Sequence, residues 1–148
     1  MANVIRSIFA FCLQILILGT ATPGFAQVDP TKALIGRWEG TVESSGAPGG
    51  NQRTLIINSV KAQGEGEWIA RGRLGITGQV QEGARGQEIS VSSKNNEIFL
   101  EFVRPAKAPV RLKLVGDNML QGTIGGIDKG RPVNYRISLE KTKAGEIK

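Results

Sequence analysis

The sequence predicts an all-β protein: a single antiparallel up-and-down meander of about eight strands, closed into a barrel, behind a cleavable signal peptide. Three observations carry this expectation. Beyond Leu34, apolar and polar residues alternate with period two in short segments broken by Gly, Pro and Asn, and no stretch has the i, i+3, i+4 spacing of an amphipathic helix. The connections between these segments are too short to hold a crossover helix, so neighbouring strands pair as consecutive hairpins. At the N-terminus, a charged foot, an apolar core and a small-residue cleavage site follow one another.

Residues 1–26 form that signal. Arg6 supplies the charge, Ile8–Leu18 is almost unbroken apolar sequence, and Gly24-Phe25-Ala26 places small residues ahead of a cut between Ala26 and Gln27. A membrane-spanning helix needs about 20 apolar residues, and this core falls short before Thr22-Pro23-Gly24, so cleavage is the expectation rather than anchoring. Cys12 lies inside the apolar core, away from the cut, which argues against a lipid attachment there. The exported chain, periplasmic or secreted, then begins at Gln27. It has lost the one cysteine, three of the five phenylalanines and one arginine, which takes the formal charge from +6 to +5. Residues 27–141 make the barrel domain, and 142–148 a flexible tail.

Asp29-Pro30-Thr31 is able to start one helical turn. The strands follow at Gly36–Ser44, Gln52–Val60, Gly66–Leu74, Gly86–Ser92, Glu97–Arg104, Pro109–Val115, Asn118–Gly125 and Arg131–Glu140, with a short ninth piece at Thr77–Gln81. Val110, Leu112 and Leu114 share a face opposite Arg111 and Lys113, and Val133, Tyr135, Ile137 and Leu139 share one opposite Arg136 and Glu140. One dry face and one charged face is the pattern of an antiparallel sheet with one side to water. Lys94-Asn95-Asn96 and Gly116-Asp117 are tight links suited to positive φ. Closure removes the exposed edges of such a sheet, and eight strands leave an interior that is either filled or wide enough for one small ligand.

The first strand opens Gly36-Arg37-Trp38, just after the helical turn. This Gly-x-Trp at the head of an eight-strand meander resembles the start of the calycin-type barrels, the lipocalin- and avidin-like proteins. The resemblance implies that Trp38 plugs the closed end of the barrel, with Gly36 as its spacer. It further implies an arginine on the last strand stacked on the Trp. The arginine there, Arg136, falls on the polar face.

The longer, Gly- and Pro-rich connections gather at one end of the meander, opposite Trp38, and that end is the expected mouth. Inward positions near it are Val42, Leu74, Phe102, Val110, Ile124, Val133 and Tyr135. Arg104 continues the row of Ile98, Leu100 and Phe102. It either reaches solvent ahead of Pro105 or meets an anionic head group. Arg53, Arg71, Arg73, Arg111, Lys113 and Arg136 are read as mostly outward.

Without His or Cys after residue 26, Ser-His-Asp and Cys-His catalysis, Cys/His zinc sites and His-ligated haem are excluded. The acids fall mainly on polar strand faces, where solvation explains them. Gly125–Gly130 is followed by no helix and is not a phosphate loop. The expectation is a protein that is not an enzyme and uses no cofactor or metal. It is instead a binding protein for a small hydrophobic ligand at the open end. The alternative is a solid-cored envelope interaction protein or inhibitor, whose partner is an anionic envelope component or an acidic protein. Nucleic acid is not an expected partner, and no transmembrane segment is expected once the signal is removed.

Overall fold

A computed structural model describes residues 29–43, 52–81, 85–104 and 107–142. The signal segment, its cut at Ala26–Gln27 and the tail beyond Thr142 lie outside the described residues, as do 44–51, 82–84 and 105–106 in the mouth connections. The chain runs α1 (Pro30–Ala33), β1 (Gly36–Glu43), β2 (Gln52–Gly64), β3 (Glu67–Ile76), β4 (Gln87–Lys94), β5 (Glu97–Val103), β6 (Pro109–Val115), β7 (Met119–Asp128) and β8 (Arg131–Lys141). Every strand pairs antiparallel with its sequence neighbour, and β1 pairs with β8, so the eight-strand meander closes into a barrel.

The turns follow from their residues. Asn95 and Asn96 both sit at positive φ, 53° and 62°, as a two-residue hairpin requires for its twist to match the strands. Asp29 caps α1, where its carboxylate accepts from the Thr31 amide and hydroxyl; these two bonds hold it below the usual carboxylate range.

Three expectations change. The ninth strand at Thr77–Gln81 is a turn that folds back onto the outer face of β2 and β3: Thr77 N–H donates to the Gln52 carbonyl, Thr54 Oγ1 donates to Thr77 Oγ1, and Val80 is buried. This cover explains why Thr54, on an outward position, is wholly buried. The connection expected at Gly126–Gly130 is mostly ladder, because β7 and β8 stay paired out to Asp128 and Arg131 around a two-residue Lys129-Gly130 turn. Finally, β2 carries a register shift between Ile57 and Ser59. A bulge of this kind changes which residues face inward on either side of it.

The core is one cluster inside the barrel. Outside, charges pair across strands: Arg71 with Glu88, Arg111 with Glu101 and Lys113 with Glu97. Such exposed pairs contribute little stability, but they define the exterior. A membrane-spanning barrel turns an apolar band to lipid and a polar interior inward; this one does the reverse. Among the described residues, no helix is long and apolar enough to cross a membrane.

Candidate functional site

The two ends of the barrel differ in construction. At one end the β2–β3, β4–β5 and β6–β7 turns meet α1 and the start of β1. Trp38 is wholly buried there, and its Nε1 donates to the Leu34 carbonyl at 3.0 Å. The cation over its indole is Lys141, with Nζ 5.3 Å from the ring centroid. That ammonium also donates to the Ala33 carbonyl at 2.6 Å and so ties β8 to α1. Arg136 lies on the polar face and pairs with Glu43 and Thr123 across the ladders, so the stacking cation stands five positions further along β8. Burial pulls the Lys141 ammonium below its ordinary value, while the indole face and the carbonyl favour the charge. Lys141→Met should lower stability by about 1–2 kcal/mol in urea unfolding, with Lys141→Arg recovering most of it. Equal midpoints for Lys141→Met and the parent would show that this clasp contributes nothing.

The other end is the mouth, and the inward residues expected there are distributed unequally. Val42, Phe102, Val110 and Ile124 are buried in the core cluster, with exposures of 4%, 6%, 0% and 2%. Leu74 and Tyr135 pack against that cluster and are only partly covered. Val133 and Arg104 are likewise half-buried, at the rim. Tyr135 leans over Gly126, where an added Cβ would stand 2.6 Å from its ring.

Below this layer the lumen is filled. A void wide enough for one water molecule would leave accessible surface on the side chains around it. Leu55, Ile89, Leu100, Val110, Leu120 and Leu139 have none. The interior around these residues is therefore filled with Leu, Ile and Val, and a guest would enter it only by displacing side chains. Among the described residues, shallow depressions lie on the outer surface, one about Ser59, Lys61 and Arg71, another about Thr41, Gln121 and Arg136.

The residue that sequence reasoning misplaced is Arg53. Its Cα partners are Gly40 on β1 and Ile76 on β3, and it continues the inward row of Leu55 and Ile57. Alternation counted back from Val60 puts Arg53 outside. The bulge between Ile57 and Ser59 reverses that phase. Arg53 is half-buried at the rim, and burial, then the charge of Arg104, bring its guanidinium down from its ordinary value. Arg53 and Arg104 thus both stand at the mouth ends of inward rows.

The charges of the two ends are also unequal. Around the mouth, Arg53, Arg85, Arg104, Lys107, Lys129 and Arg131 stand against Glu43 and Asp128 among the described residues. At the closed end, Lys32, Arg37, Lys61, Lys94, Lys113 and Lys141 are nearly balanced among the described residues by Asp29, Glu39, Glu65, Glu67, Glu97, Asp117 and Glu140. No group of three or more His, Cys, Asp or Glu able to hold a metal occurs among the described residues. The chain matches no protein family, no curated protein and no solved structure.

Proposed function

We propose that the protein is an exported, calycin-like binding module that engages a negatively charged partner at the loop-bearing end of its barrel, and that it is not an enzyme. One observation carries the reading: Arg104, Lys107, Lys129 and Arg131 gather at the loop-bearing end, above a filled core, against only Glu43 and Asp128 among the described residues. An anion docked among these cations is attracted to them and eases their mutual repulsion. The positive mouth against a nearly neutral closed end gives an oriented field that steers anions to the mouth. Export rests on the tripartite N-terminal segment. The calycin likeness draws support from Gly36, the buried Trp38 and its cation Lys141.

A small apolar ligand remains the second reading, favoured by the partly covered Leu74 and Tyr135. Such a ligand would lie shallowly across these two with an acidic group toward the arginines.

The test is salt elution from an immobilised polyanion. Removing the rim charges in Arg104→Gln/Arg131→Gln should lower the eluting salt concentration clearly more than the equally charged control Lys61→Gln/Lys94→Gln at the opposite end. Equal shifts for the two double variants would mean that only net charge matters, and the reading would be abandoned. For the second reading, native mass spectrometry of protein taken from its host should show an adduct that Tyr135→Ala loses; a bare mass counts against it.

A further inference from the structure

The outer side of the mouth carries an apolar patch that folding does not use. Ile127 and Val103, 76% and 62% exposed, are the most exposed large apolar side chains among the described residues. They are neighbours through two prolines. Val103 is the Cα partner of Pro109; the Pro109 ring lies 2.6 Å from where a Cβ on Gly125 would stand; Ile127, one pleat beyond Gly125, is the partner of Pro132. These residues all point outward, and Pro109 and Pro132 are exposed. Single exposed apolar residues need no explanation, but a contiguous patch marks an interaction surface.

The patch also projects. The β6 ladder ends against Ile124, and β7 and β8 continue as a two-strand arm to the Lys129-Gly130 turn. Lys107 and Lys129 lie in the connections beside it and Arg131 at the start of β8, with Asp128 next to Ile127. An apolar tip with cations beside it is an arrangement by which a protein enters the headgroup layer of a membrane: the apolar side chains bury at the acyl boundary and the cations meet lipid phosphates. A second copy of this chain is a poor occupant, because two such ends bring like charges together.

We propose that this arm and Val103 dock the barrel, mouth first, onto an anionic lipid surface. The proposal rests on the reading of the mouth as an anion-binding end and names its partner. Cosedimentation of the host-exported protein with vesicles tests it. Binding is expected to vesicles of equal parts phosphatidylcholine and phosphatidylglycerol, to weaken with salt, and to be lost on phosphatidylcholine alone. Ile127→Ser/Val103→Ser should weaken binding about tenfold or more while leaving the thermal midpoint in place, since neither side chain is packed. Ile127→Trp should shift its emission to the blue on mixing. The native Trp38 and Trp68 lie toward the closed end and should not respond.

Equal binding by the parent and the double serine variant would overturn the proposal, leaving charge alone at work. So would failure to bind vesicles while rim-dependent retention on the immobilised polyanion persists, which identifies an acidic protein partner instead. If rim-dependent retention fails as well, the reading of the mouth falls with it.

Discussion

Gly40→Ala should prevent normal closure of the barrel and cost more than about 3 kcal/mol, at or beyond the upper end of ordinary overpacking. Gly40 lies on the β1–β8 seam, and a Cβ there would stand 1.9 Å from the Ser138 carbonyl oxygen and 2.9 Å from Leu139 Cα. Both obstacles are backbone, so no rotamer change relieves them; the strands themselves must separate. Gly122 repeats the geometry between β7 and β6, with a Cβ 1.9 Å from the Arg111 carbonyl oxygen. These close approaches occur where a barrel of few strands has to bend most sharply, a task glycine performs in β-sheets generally. Urea unfolding followed by far-UV circular dichroism reads the effect. An unchanged midpoint for Gly40→Ala would mean the seam is looser than its register implies.

Trp38→Ala is expected to cost about 3–5 kcal/mol, the usual range for deleting a buried aromatic side chain. The loss combines several effects. The indole is wholly buried against Leu34; its removal takes the donor from the Leu34 carbonyl and leaves Lys141 without its aromatic face. Trp38→Phe keeps an aromatic face and much of the volume, so it should lose less, including about 1 kcal/mol for the hydrogen bond. Because small domains hold only about 5–15 kcal/mol in total, the alanine variant should be visibly less cooperative or partly unfolded at moderate temperature. A loss no larger than that of an exposed substitution would show that Trp38 does not hold the end shut.

What could be read without coordinates follows a physical divide. Period-two alternation reports burial locally, so Val110, Leu112 and Leu114 announced β6 and its inner face, and Asn95-Asn96 announced a hairpin by its need for positive φ. Arg53 was not legible, because its face depends on a bulge at Ile57–Ser59 that no glycine or proline flags. Nor was Lys141. It meets Ala33 across 108 positions of sequence, and only closure of the whole ring brings them together. The filled interior belongs to the same class: alternation says which side chains point inward, but how far they reach across the lumen depends on the tilt and stagger of all eight strands.

The meander also orders the events of folding. Seven of its strand pairings join sequence neighbours, while β1–β8 alone links the two ends of the chain. Hairpins such as the one at Asn95-Asn96 form within microseconds, whereas the last pairing must wait for the longest loop to close. Until it does, β1 and β8 both expose open edges, with Gly40 and Leu139 awaiting each other. The vulnerable moment in the life of this molecule is therefore the interval before closure, when an edge can be taken by the β1 or β8 of another nascent chain.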